Sequence, residues 1–392
     1  MFTITNGFTY IAFLMFVAGG LLALEKYSKW KIFNLVPSLA WIYLLNMLFS
    51  TLGLYSSDSV TLVRSSLKDN LLYAMIFVML LRCDFRQIMK LGSRAIAIFL
   101  ACSLTLAVGL IAVYPIFADS MGGVEKTWAA VAALFASWVG GTANMAAMST
   151  PLAVDAGAYG TAMVLDTVCF PVWVALLLLG VRYADKWNTT CKADTSKLAE
   201  LAETVNDALV THKRKATAAD WVLLIGISMM VSSGVQVLGS MASSRFPLFT
   251  PSVCTTLLVT VLGLICATTP LRKLPAIENL SSVYFYCAVS LLATDANLSE
   301  LASAPMWVVY GFVSLLIHVV LMLILSKLFH WDLGMVSTAS LANIGGSASA
   351  PIVATAYDSS YAGIGVLMGV FGSAIGNFFS LGMGAILSTL FL

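Results

Sequence analysis

Twelve apolar runs, most of them long enough to cross a lipid bilayer, constrain this chain more than any other feature. They fall at approximately 8–24, 33–54, 67–81, 95–117, 128–150 and 160–181, then 220–241, 248–268, 281–294, 305–326, 334–356 and 361–390. A spanning helix needs roughly 20 apolar residues. These runs are continuous rather than short and alternating, which argues against a β-barrel. Only 10% of the 392 residues are charged and 60% are hydrophobic, against about 25% and under 50% in soluble domains. The expected fold is therefore an all-α polytopic membrane protein. The net charge is +2, and no dense Lys/Arg run offers a nucleic-acid surface.

The cysteines (Cys83, Cys102, Cys169, Cys191, Cys254, Cys266 and Cys287) form no CxxC pair and no metal-ligand spacing. They read as small hydrophobes. The first apolar run has no basic region before it, as a secretory signal would. Its positive charge follows instead, at Lys26, Lys29 and Lys31. The expectation is a retained first span with its N-terminus outside.

Six runs, a polar stretch at 182–219 and six more runs suggest an internal duplication. The boundaries are 1–181 for a first membrane repeat, 182–219 for a cytoplasmic linker and 220–392 for a second, inverted repeat. Short matches support the pairing. Leu80-Leu81-Arg82-Cys83-Asp84 resembles Leu291-Leu292-Ala293-Thr294-Asp295. Likewise Val139-Gly140-Gly141-Thr142-Ala143 resembles Ile344-Gly345-Gly346-Ser347-Ala348, each in the fifth run of its half.

Charge sets the topology, because Lys and Arg stay cytoplasmic in short loops. If every run spans with the N-terminus outside, only Lys26, Lys29, Lys31, Arg82, Arg86, Lys90, Arg94 and Arg245 lie inside. If the two Gly-Gly runs instead dip in and return, only Arg64, Lys68, Lys126 and Arg245 of the 21 lie outside. The second arrangement satisfies the rule far better. It leaves five true spans per half, so the halves insert in opposite orientations, as in secondary transporters built from inverted repeats.

The Gly-Gly runs carry the first candidate site. Irregular backbone at membrane depth is tolerated only where it is buried in protein or lines a wet cavity. A broken helix there offers free N–H groups to an anion and free carbonyls to a cation. Gly140, Gly141, Thr142 and Asn144, with Gly345, Gly346, Ser347, Ser349 and Asn343, are the expected substrate contacts. Asp166 is the second candidate, since no charged residue lies within ten positions of it. A lone carboxylate at such depth costs several kcal/mol unless it is paired, protonated or cation-bound. Asp166, with Thr167 beside it and Asn377 from the last run, is the expected site for Na+ or H+. His318, Asn46 and Gln236 read as interhelical hydrogen-bonders, and Asp84 and Asp295 as acids at the membrane edge. Gly372, Gly376, Ser380 and Gly384 recur at four-residue spacing, a small-residue face for close helix contact.

With these motifs the chain resembles the YjcL-like family of uncharacterised bacterial membrane proteins, a domain of unknown function. The carrying segments are Val139–Asn144, Leu165-Asp166-Thr167, Ala342–Ala350 and Gly369–Asn377. The family often has Pro after the second Gly-Gly and Asn after the Asp, where this chain has Ser347 and Thr167. More distantly, the paired Gly-Gly loops look like those of the glutamate–sodium and 2-hydroxycarboxylate symporters. That similarity implies an elevator-type carrier of small organic anions coupled to Na+.

The resulting expectation is a cation-coupled secondary transporter of a small, carboxylate-bearing solute. It would be a homodimer in the bacterial cytoplasmic membrane, with both termini outside and the linker inside. Na+ is the one ligand expected besides substrate and lipid; no other cofactor or metal is. Two alternatives stay open: an uncoupled channel or facilitator, and an intramembrane enzyme using Asp166 and His318. No Walker motif, GxSxG, HExxH or CxxCH is present to suggest an enzyme of those classes.

Overall fold

The computed structural model describes residues 3–28, 30–83, 85–193, 201–205, 214–246 and 249–392. Asp84 and the linker segments 194–200 and 206–213, which include His212, lie outside the described residues. All regular elements among those described are helical. In chain order the longer helices are α1 (Gly7–Ser28), α2 (Ser38–Thr51), α3 (Asp58–Leu80), α4 (Gly92–Met121) and α5 (Val124–Gly140). Next come α6 (Thr142–Met148), α7 (Ala156–Gly180), α8 (Ala184–Cys191), α9 (Ala218–Arg245) and α10 (Pro251–Cys266). The last are α11 (Ile277–Ala293), α12 (Ala304–Phe329), α13 (Leu333–Tyr357) and α14 (Ala362–Phe391). Among the described residues six helical stretches are long and apolar enough to cross a membrane. The protein is a multi-pass helical membrane protein.

Two helix boundaries differ from the hydropathy reading. The third apolar run begins at 67, yet α3 begins at Asp58 and carries Arg64, Lys68 and Asp69 within the helix. Hydropathy hides this polar half because its cations are neutralised from another element: Arg64 Nε lies 3.0 Å and Lys68 Nζ 3.8 Å from Asp295. The apolar half, Leu72 to Leu81, is buried at every position. A helix apolar all round belongs in the middle of a bundle. The second run, 33–54, divides at Pro37 into a short turn and α2.

Both Gly-Gly runs are helical hairpins. A straight α13 of 25 residues would be about 37 Å long at 1.5 Å per residue. Its ends instead touch: a Cβ on Gly334 would stand 3.0 Å from Tyr357 Cβ, and Ser337 Oγ lies 3.0 Å from Tyr357 Oη. The chain reverses at Gly346, with φ 67° and ψ −166°. In the first half α5 stops at Gly140, Gly141 takes φ 97° and ψ 164°, and α6 runs back. Here too the bases of the arms lie together, because a Cβ on Gly384 would stand 2.7 Å from Leu152 and 3.5 Å from the Trp128 ring. Both turning residues occupy a backbone region open to glycine alone.

α14 organises the two hairpins. Its Gly365 and Gly369 press on Ala350 and Ser347 of α13, while Gly372 and Gly376 press on Val139, Gly140 and Asn144 of the α5–α6 hairpin. Farther along, Ser380 Oγ donates to Ala132 O at 2.7 Å. The hairpins therefore approach from opposite ends of α14, and their tips meet beside its middle. A Cβ on Gly346 would stand 3.9 Å from Gly141 Cα. The small-residue face expected from four-residue spacing, Gly372 to Gly384, is the surface that receives the first hairpin, while the second rests on Gly365 and Gly369.

Nothing lies within 4 Å of a Cβ built on Gly141, so substitution there tests backbone strain alone. Gly141→Ala should lower stability by about 1–3 kcal/mol. Gly19→Ala in α1, equally unobstructed and in ordinary helical backbone, should raise it by up to about 1 kcal/mol. Thermal unfolding of the detergent-purified variants reads both; equal shifts would contradict the assigned turn.

Candidate functional site

The first hairpin tip holds a carboxylate. Asp166, in the third turn of α7, is 8% exposed. Its Oδ2 accepts from Ser137 Oγ at 2.8 Å and its Oδ1 from Trp138 Nε1 at 3.0 Å. The Thr142 side chain adds a third contact. Ser137 and Trp138 form the last turn of α5 and Thr142 opens α6, so one carboxylate ties together the two arms across the Gly141 break. No Lys, Arg or His among the described residues forms an ion pair with it. The group is served by neutral donors alone, and a hydrogen bond to a charged group contributes about 1.5–3 kcal/mol.

Ser137 and Trp138 were not singled out as site residues by the sequence reading. A signal existed: a buried Trp seeks a partner for its indole N–H, and this one sits three residues before the turning glycine. Thr167, expected beside the ion, is half-buried and makes no hydrogen bond among the described residues. Asn377 is not brought to Asp166. Its Oδ1 accepts from Asn144 Nδ2 at 2.9 Å and its Nδ2 reaches Thr260 Oγ1 at 3.4 Å.

The remaining sequence-predicted contacts divide by burial. Gly141, Thr142, Gly345, Ser347 and Ser349 retain partial exposure where the two tips face each other, beside exposed Ala348. The Phe170 ring of α7 closes one side, 2.7 Å from where a Gly345 Cβ would lie. Gly140, Asn144, Asn343 and Gly346 are buried. Asn343 is engaged by α4: its Oδ1 accepts from Ser103 Oγ at 2.6 Å, and its Nδ2 donates to Phe99 O at 3.3 Å and Ala339 O at 2.9 Å.

Freed backbone carbonyls at the breaks are capped by hydroxyls. Ser373 Oγ donates to Gly140 O at 2.9 Å, and Ser349 Oγ to Gly345 O at 2.8 Å. Ser349 thus supports the turn in addition to lying at the junction. Beside Ser373, α14 needs glycine at 369 and 372, because a side chain there would meet Ser347 N or Val139 O.

His318 lies elsewhere. Its Nδ1 is 2.8 Å from Thr105 Oγ1 and its Nε2 is 2.9 Å from Ser340 Oγ, which also accepts from Trp173 Nε1 at 3.1 Å. Four helices are stitched together there: α4, α7, α12 and α13. Gln236 joins α9 to α3 through Asn70 at 2.8 Å, whereas Asn46 accepts from Tyr55 at 3.0 Å in the segment after its own helix. Among the described residues no group of three or more His, Cys, Asp or Glu is arranged to hold a metal ion.

A protein-family model described as "Protein of unknown function (DUF819)" matches residues 12–390, nearly the whole chain. No curated protein matches the chain.

Trp138→Phe removes the indole donor to Asp166 and should lower stability by roughly 1.5–3 kcal/mol. In an Asp166→Asn background the same substitution should cost measurably less, since the charge it served is gone. Thermal unfolding of the four members of the cycle measures the coupling; equal costs in both backgrounds would show that this hydrogen bond contributes nothing.

Proposed function

The chain belongs to the DUF819 family, whose activity its description leaves open, and from that premise we propose a cation-coupled secondary transporter of a small organic anion. One observation carries the reading: two glycine-broken hairpins meet tip to tip, with a buried carboxylate clamped to one of them. Discontinuous helices meeting at membrane depth are the usual setting for substrate and ion sites in carriers built from repeats. The opposed approach of the hairpins along α14 supports an inverted-repeat reading of 1–181 and 220–392 around the linker 182–219.

Substrate would sit at the junction, against Gly141, Thr142, Gly345, Ser347 and Ser349. A carboxylate suits this place because the second arm of α13 starts at Ser347, beside the junction, and a helix N-terminus favours an anion. Asp166 would hold the coupling H+ or Na+. Its bonds to Ser137, Trp138 and Thr142 span the break, so a change in its charge alters the geometry of the hairpin that touches substrate. The hairpins with α7 and α14, and with α4 and α12 that are bonded to them at Asn343 and His318, would move as one body, elevator-like, against the remaining helices. The setting would be a homodimer in a bacterial cytoplasmic membrane, with the termini outside and the linker inside. The intramembrane-enzyme alternative has less support, since both His318 ring nitrogens are engaged by hydroxyls of packed helices and share no partner with Asp166.

The test is uptake into proteoliposomes, with radiolabelled mono- and dicarboxylates supplied under an imposed Na+ gradient, a pH gradient or neither. Accumulation should require one gradient, and Asp166→Asn should abolish that dependence. Gradient-independent equilibration in the wild type would replace the carrier with a facilitator. Unchanged coupling in the variant would remove Asp166 from the ion pathway.

A further inference from the structure

The α5–α6 break has a second polar face, turned away from Asp166. Asn144 is wholly buried there. Its Nδ2 donates to Ser373 O at 3.1 Å and Asn377 Oδ1 at 2.9 Å, which fixes the orientation of the amide. The oxygen is left with no hydrogen-bond partner. Among the described residues three other buried side-chain atoms share that condition: Trp41 Nε1, Tyr159 Oη and Thr338 Oγ1. Each of those can donate; Asn144 Oδ1 can only accept. An acceptor buried without a partner costs about 1–3 kcal/mol, so the site is incomplete as it stands.

What surrounds the oxygen decides what completes it. A Cβ on Gly140 would stand 2.7 Å from Asn144 Oδ1 and 2.8 Å from Gly372 O, so both oxygens converge on the bare Cα of Gly140. Gly140 ends the 17-residue α5, where the helix dipole presents its negative pole. The Gly140 carbonyl is close by, capped by Ser373 Oγ. No Lys, Arg or His side chain among the described residues is bonded to this group. The Gly372 carbonyl accepts the helical N–H of Gly376 within α14 and the Gly140 carbonyl accepts from Ser373 Oγ, but each keeps a second lone pair. Together with the unpartnered Asn144 Oδ1 at the negative end of α5 they attract a cation. The set holds no carboxylate, unlike the usual Ca2+ and Mg2+ sites, and neutral hard oxygens suit a monovalent alkali ion.

We propose that Asn144 Oδ1 is the principal ligand of a Na+ site, distinct from Asp166, formed with the backbone oxygens of Gly140 and Gly372. Asn377 and Thr260 are positioning residues: Asn377 orients the Asn144 amide and Thr260 orients Asn377. Helical geometry separates the two sites. Trp138, which serves Asp166, and Gly140 are two residues apart on α5 and so point about 200° apart around its axis. Binding here is an equilibrium property of the folded protein and does not presuppose transport.

The experiment measures 22Na+ binding to the detergent-purified full chain in choline chloride at constant ionic strength, with unlabelled Na+ or K+ as competitor. Wild type and Asp166→Asn should both retain saturable binding that Na+ competes better than K+. Asn144→Leu, close in size but without the oxygen, should weaken it at least tenfold, and Thr260→Val several-fold. Absence of saturable binding in the wild type, its loss in Asp166→Asn, or equal affinity in Asn144→Leu would overturn the site. Should Asn144→Leu fail to fold, Thr260→Val decides, and wild-type affinity there overturns the proposal. A protein that binds Na+ in this pattern yet moves no carboxylate in vesicles keeps the site and loses the transporter reading.

Discussion

A helix that stops in the middle of an apolar bundle must find partners for the backbone groups it frees, and this requirement organises the molecule. Bulk water is not available to solvate them at such depth. Each break therefore carries its own hydroxyl: Ser373 for the carbonyl of Gly140, Ser349 for that of Gly345. The one hydroxyl comes from α14 and the other from within the hairpin. The first break thus depends on α14 for hydrogen bonding as well as packing, while the second leans on it for packing alone. The glycines of α14 follow from the same demand. A side chain at Gly369 or Gly372 would occupy the space of Ser347 N or Val139 O, so neither tip could reach the helix that supports it. Close backbone approach through small residues is how helices associate where burial from water supplies no drive.

The parts of this arrangement that depend on residue type and spacing were legible in the sequence. The paired glycines marked both turns, because nothing else tolerates φ 97° or 67° with extended ψ. The Gly372, Gly376, Ser380, Gly384 series marked the face that supports the first hairpin, though not Gly365 and Gly369 beneath the second, and the isolation of Asp166 marked a buried carboxylate. What depends on the direction in which a side chain leaves its helix was not legible. Asn343 sits two residues before the second glycine pair, as Asn144 sits three after the first, yet one faces α4 and the other α14. The start of α3 was hidden for a different reason. A hydropathy scale charges Arg64 and Lys68 their full desolvation cost, and it cannot know that Asp295, far along the chain, neutralises them.

Those same cations show how the first hairpin is fastened to the rest of the bundle. Thr150, at its base, donates to Asp69 of α3 at 2.8 Å, one residue from Lys68. Arg64 Nη1 donates to Thr294 O at 3.1 Å, where Tyr10 Oη and Ser50 Oγ also bond the same residue. The base of the hairpin thus joins α3 through one neutral-donor hydrogen bond, while α3 is pinned to α1, α2 and the end of α11 by a network. A contact of the first kind breaks more cheaply than the second. A hairpin that moved with α14 would leave α3 behind at Thr150 and would leave the α1–α2–α3–α11 corner intact.

The two polar faces of the first break bear on that division. Asp166 holds Ser137, Trp138 and Thr142 from α7, and Asn144 holds Ser373 and Asn377 from α14. Both partners lie within the body proposed to move, so displacement of that body would break neither set. Thr260, on α10, is the exception: its contact with Asn377 is 3.4 Å, the longest in the chain of bonds leading from Asn144. If a cation sits at Asn144, the amide that binds it is oriented through a link that crosses to the static helices, and displacement would loosen that orientation without touching the ligand itself. Ion affinity would then differ between the two positions of the moving body, and a ligand shifts such an equilibrium only through its differential affinity for the two states. Asp166 has no such link to the remaining helices in its hydrogen-bond set, so under the proposed mechanism any contribution to coupling would come from its charge and from the break it spans, not from the position of the body that carries it.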